Sequence, residues 1–202
     1  KITFAAGELI TGAGVAVQST GLTVTTSVDG VSAGASVPAL VGTVQSASIT
    51  LAAADQKALQ ATTATTTVTF TTQTIIPTTG TITITLPANY FSGKATPAAV
   101  HVPPSGTAAT LSCALTAATL TIVCTTSAQA VAVGVNKITF VAGELTTGPA
   151  VAVSAAGLTV TTSTDTVSAG ASVPALVATV LSASITLDAL DQKALQATTA
   201  VT

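Results

Sequence analysis

Residues 65–91 read TTTVTFTTQTIIPTTGTITITLPANYF, and the spacing inside this stretch decides the fold. Val68 and Phe70 alternate with Thr67, Thr69 and Thr71; Ile82, Ile84 and Leu86 alternate with Thr81, Thr83 and Thr85. A period of two puts the apolar side chains on one face of an extended strand and threonine on the other, because successive Cβ atoms point to opposite sides. Threonine suits the outer face, being β-branched and stiff at χ1 yet able to meet water. Pro77 to Gly80 separates the two runs and Pro87-Ala88-Asn89 closes the second, both reading as turns.

The same pattern continues outward in ATLSCALT (109–116), LTIVCTT (120–126), KITF (1–4 and 137–140) and GLTVTTS (21–27 and 157–163). Further turns fall at Pro103-Pro104-Ser105-Gly106 and Asp29-Gly30. Short strands at roughly even spacing predict an all-β chain with an antiparallel sandwich or barrel. Only AADQKALQAT (53–62), with its near copy at 189–198, breaks the rule; a single helical turn and an irregular linker both fit it, and a connection is the favoured reading.

The chain repeats itself. KITFAAGELITG at Lys1 returns as KITFVAGELTTG at Lys137, and the match runs without a gap, so that residues 1–66 align with 137–202. Differences such as Ala13 to Pro149 and Gln45 to Leu181 are substitutions without insertion or deletion. One complete unit is expected at 47–182, with 1–46 the C-terminal part of a preceding unit and 183–202 the N-terminal part of the next. Such phasing, starting at Lys1 without a Met, is expected of an excised or mature segment of a longer tandem array. A unit of this size is large enough to bury a core of its own.

Composition bounds the function. Apolar residues make up 48% of the 202, charged residues only 6% and aromatics 2%, with a net charge of -2. Charged residues form roughly 25% of an ordinary domain, so this surface must be threonine, serine and alanine, with little charge to keep copies apart. That points to assembly, to glycan cover, or to both. All five cations are lysines and they are dispersed, which excludes a phosphate-binding patch, and there are too few aromatics for base stacking. No apolar run reaches the roughly 18 residues of a membrane helix, and Tyr90 with four phenylalanines cannot build the aromatic girdles of a membrane barrel.

Cys113 and Cys124 lie in LSCALTAATLTIVC. An even pair without metal-ligating neighbours predicts a disulfide and an oxidising compartment, the alternative being two buried thiols. If the two pair within one hairpin, Leu115 faces Ile122 and the turn falls near Ala118-Thr119; a bridge between strands paired differently is the other arrangement.

The succession TVTFTTQTIIPTTGTITITLPANYF, KITFAAGELITG and LTVTTSVDG resembles tandem Ig-like β-sandwich modules of large secreted surface proteins. The resemblance covers most of the repeat unit and implies a stalk, fibre or surface-layer role, although sandwiches host many functions.

Chemistry is sparse. His101, the single histidine, sits in AVHVPP without a local nucleophile and reads as structural, so no enzyme is expected. The acids Glu8, Asp29, Asp55, Glu144, Asp165, Asp188 and Asp191 are far apart in sequence and lack calcium-loop spacing. His/Cys clusters for zinc and a glycine-rich phosphate loop are both missing, so no cofactor is expected. No N-glycosylation sequon exists, while ATPAAVHVPPSGT (95–107) is open to O-linked sugar. A Lys–Asn amide cross-link, as in some Ig-like modules, would draw on Lys57, Lys94 or Lys137 and Asn89 or Asn136.

These readings converge on a structural subunit of an extracellular filament or cell-surface array. Its partner is expected to be adjacent identical repeats, with strand exchange through 1–46 and 183–202 and neither nucleic acid nor membrane insertion. The alternative is an adhesin or carbohydrate-binding module, with Tyr90 and Phe91 as its ligand loop. A third reading, ice binding, rests only on the ranks of Thr-x-Thr.

Overall fold

The computed structural model describes residues 1–12, 14, 15, 17–178, 180 and 183–186. Its strands are β1 (Gln18–Leu22), β2 (Ala35–Val37), β3 (Gly42–Thr43), β4 (Gln45–Thr50), β5 (Thr66–Thr72), β6 (Thr81–Thr85), β7 (Phe91–Gly93) and β8 (Ala99–Val102). They continue with β9 (Thr110–Thr116), β10 (Thr121–Ser127), β11 (Gly134–Phe140), β12 (Leu145–Thr147), β13 (Ser154–Thr162), β14 (Asp165–Thr166) and β15 (Ala171–Val173). The fold is all-β, and the described residues form no α-helix.

Two antiparallel sheets dominate, one in the order β15-β13-β6-β10-β9 and the other β4-β5-β11-β8. Burial alternates along β5, where Thr66, Val68, Phe70 and Thr72 are buried and the residues between are half-exposed. In β6, Ile82 and Ile84 are buried between threonines, as the period of two requires. Both sheets feed one apolar cluster, to which β5 and β11 give Val68, Phe70, Ile138 and Phe140, and β6, β10 and β13 give Ile82, Ile84, Ile122, Leu158 and Val160.

The turns use the residues the sequence singled out. Gly80 N–H donates to Pro77 O and Tyr90 N–H to Pro87 O, with Thr79 and Asn89 at φ 70° and 61°. The stretch 53–62 holds one 3-10 turn at Ala53–Asp55 and is otherwise a connection; its copy at 189–198 lies outside the described residues.

β9 and β10 form a hairpin in which Cys113 lies directly opposite Cys124 and Leu115 opposite Ile122. The two cysteines are joined in a disulfide. The reversal runs through Ala117–Leu120, with Leu120 at φ 38° where a glycine or asparagine would sit more easily.

Parallel pairing occurs where the chain enters and leaves this two-sheet body. β3 runs parallel to β14, with Gly42 beside Asp165 and Thr43 beside Thr166. Lys57 forms a parallel bridge with Val177.

The two copies of the repeated sequence differ in structure. KITF at 137–140 lies in β11, between β5 and β8, whereas KITF at 1–4 forms no strand. GLTVTTS at 157–163 is almost entirely within β13, but of the first copy only Gly21 and Leu22 lie in a strand. The expectation of a strand at both places fails for the first copy, and the reason is the partner. β11 and β13 are held by β5, β8 and β6, and residues 1–4 have no such neighbours among the described residues.

Candidate assembly surface

The buried histidine and acids of the body are hydrogen-bonded locally, although Asp165 Oδ1 is buried without a partner among the described residues. His101 is buried; its Nδ1 accepts from Ala109 N–H at 3.0 Å, which leaves Nε2–H to donate to Asn136 Oδ1 at 3.0 Å. Asn136 Nδ2 in turn donates to Ala132 O and Gly134 O at 2.9 and 3.0 Å. These bonds cross from β8 to β11 and fix the ring as a strut.

Asp55 is buried at the end of the 3-10 turn, and its carboxylate accepts from Thr63 N–H, Thr63 Oγ1 and Ala64 N–H. Burial pushes its carboxyl up, but these three bonds outweigh it and hold the group below the ordinary value of 3.8. Asp165 Oδ2 accepts from Gln73 N–H and Thr74 N–H. Glu144 is held below the usual carboxylate range by the Lys94 ammonium and by Ala98 N–H. Neither Asn89 nor Asn136 has a lysine among its hydrogen-bond partners in the described residues. No three His, Cys, Asp or Glu side chains gather to hold a metal ion among the described residues.

Tyr90 and Phe91 are both buried, their rings packed edge to face at 4.8 Å. Tyr90 Oη donates to Pro174 O, and burial raises its hydroxyl to about 12. Of the two positions open to this pair, core plug or ligand loop, the structure has the plug, and neither ring is offered to a sugar.

Apolar residues are exposed in many places among the described residues, but in the first copy of the repeat they include positions whose equivalents form the core. Ile2, Phe4 and Leu9 are 80%, 58% and 65% exposed, while their equivalents Ile138, Phe140 and Leu145 are 0%, 1% and 0%. Leu22 and Val24 are half-exposed where Leu158 and Val160 are fully buried. Burying each such side chain would contribute about 2 kcal/mol.

Some local pairings are nevertheless shared by the two copies. In the first, β1 pairs with β2 through Gln18–Val37 and Leu22–Ala35; in the second, β13 pairs with β15 through Ser154–Val173 and Leu158–Ala171. Val15 bridges Leu40 as Val151 bridges Leu176. Asp29 N–H donates to Thr26 Oγ1 and Asp165 N–H to Thr162 Oγ1, both at 2.8 Å. Val24 N–H reaches Ser32 Oγ as Val160 N–H reaches Ser168 Oγ. The first copy thus keeps the β1–β2 pairing and the local hydrogen bonds of its counterpart but lacks the body that the second copy closes.

Sequence differences between the copies respect that body. Positions 141, 146, 149, 150, 154, 155, 156, 164, 166 and 178 differ from their equivalents, and every one is exposed or half-exposed. Every buried residue of 137–178 is matched by the same residue in the first copy, from Ile2, Phe4 and Glu8 through to Val37 and Leu40. The core-facing set is held constant while the outside varies.

The bare face of residues 1–41 was the feature that reading the strands one by one did not find. Its signal was present in the sequence, because substitutions between the copies avoid the alternating apolar positions. No protein-family model, curated protein or solved structure matches the chain.

Proposed function

We propose that the protein is a structural subunit of an extracellular filament or cell-surface array, built from Ig-like β-sandwich units strung head to tail. The observation that carries this reading is the pair of identical core-facing sets, one buried within the body and one bare. A segment that keeps all its core residues while having no core is explained if a preceding unit supplies the missing half. On this reading the units are 47–182 and its neighbours, 1–46 closing the unit before and 183–202 opening the unit after. The disulfide fits an oxidising compartment.

The low charge supports contact between units, because a surface carrying 6% charged residues offers little repulsion between copies. Ser105 and Thr107, exposed in the loop after β8, are positions for O-linked sugar, which would solubilise faces not covered by a neighbour.

Electron microscopy of native material tests the proposal. Filaments or a lattice with a constant axial repeat of one body per period are expected. Dispersed single particles at high concentration, with no sugar by intact mass, would refute it.

A further inference from the structure

We infer that the body formed by residues 44–136 accepts residues 1–41 of a second copy in place of its own 137–177, so that its closing strands are exchangeable between molecules. The inference rests on the matched core-facing sets and would hold whether or not the chain forms filaments.

The socket is defined by β5, β6 and β8. Thr69 of β5 stands opposite Lys137 of β11, and Val68 opposite Ile138; Ile84 of β6 stands opposite Val160 of β13. In the first copy the residues that would take these places are Lys1, Ile2 and Val24, identical in type to those they would replace. The incoming segment also brings its hairpin already formed, since β1 and β2 pair in the register of β13 and β15. Ordering that segment therefore costs less on entry than folding it anew.

Entry into another molecule is favoured over entry into its own body by where the segment is tied. Its C-terminal end runs through Gly42 and Thr43 into Val44, which is buried in the core, and into β4, which is paired with β5. The segment it would displace ends instead at Val177, beside Lys57. A second copy imposes no such tether.

Exchange swaps like for like, so no net burial drives it in the unaltered chain. The resident segment competes at an effective concentration of about 1 mM through its short connection. Disabling the resident segment removes that competition, leaving one good closing segment per socket, and two molecules can then satisfy each other reciprocally around a two-fold axis.

The test is Phe140→Asp in the full chain. The expected product is a folded dimer whose unfolding midpoint rises with protein concentration, and adding Phe4→Asp to it should abolish folding at every concentration. A folded monomer, or a chain unfolded at all concentrations, overturns the inference.

A second measurement does not depend on that variant folding. A Lys1→Cys chain and a Thr69→Cys chain are refolded together at about 1 mM, oxidised and mapped by mass spectrometry. A disulfide-linked peptide joining position 1 of one molecule to position 69 of the other is expected. Its absence, where the Lys137→Cys/Thr69→Cys control links within one molecule, overturns the inference equally.

Discussion

Gly12 and Gly148 occupy equivalent places in the repeat, yet they meet different surroundings. A Cβ on Gly148 would collide with Asn89 O, whereas one on Gly12 meets nothing within 4 Å. Gly148→Ala should therefore destabilise the body by about 1–3 kcal/mol through overpacking, and Gly12→Ala should leave its denaturation midpoint unchanged. Asp55 gives a second residue-scale prediction. Asp55→Ala strands the backbone N–H groups of Thr63 and Ala64 and should cost about 2 kcal/mol at neutral pH. Because the folded state holds this carboxyl below its ordinary value, its contribution is complete above that value and fades as pH falls through the lower folded one. Urea midpoints of the protein and of Asp55→Ala should accordingly converge in strong acid. The role of Asp55 was not legible in the sequence, where it was one acid among several. Its three hydrogen-bond donors lie eight and nine residues on and are brought back by the 53–62 connection.

At the scale of elements, threonine alternation was the reliable guide wherever a strand has partners on hand. β5, β6, β9 and β10 fall where Val68, Ile82, Cys113 and Ile122 placed them, and the turns on either side of β6 fall at proline and asparagine. The same letters failed at 1–4 because a strand is defined by hydrogen bonds to a neighbour, and propensity cannot supply the neighbour. Sheet order was not legible either, since β11 is inserted between β5 and β8 by contacts distant in sequence. The hairpin at β9–β10 carries its own prediction. β9 is an edge strand of the five-stranded sheet, and the disulfide ties it to β10 across a separation of 11 residues. Replacing Cys113 and Cys124 by alanine frees the unfolded chain and should cost about 3 kcal/mol on the loop-entropy model. Reduction of the native protein should lower its unfolding midpoint by the same margin.

For the whole molecule, the repeat was legible in the sequence, but the different exposure of its two copies was not. The repeat phasing predicts a partial unit at 1–46; in the structure Phe4 is exposed and Phe140 lies in the core. Phe140→Ala should cost about 3–5 kcal/mol, and Phe4→Ala nothing measurable in the isolated chain by the same denaturation assay. The parallel pairings at the two ends of the body have a mechanical consequence. In the array proposed above, tension would enter at Gly42, beside Asp165, and leave past Val177, beside Lys57. Opposite pulls on parallel neighbours slide them lengthwise, so Val44 N–H to Thr166 O and Ala58 N–H to Val177 O are sheared together instead of being peeled apart one at a time. A body loaded in this way resists stretching at the points where a pulled thread would otherwise begin to unravel.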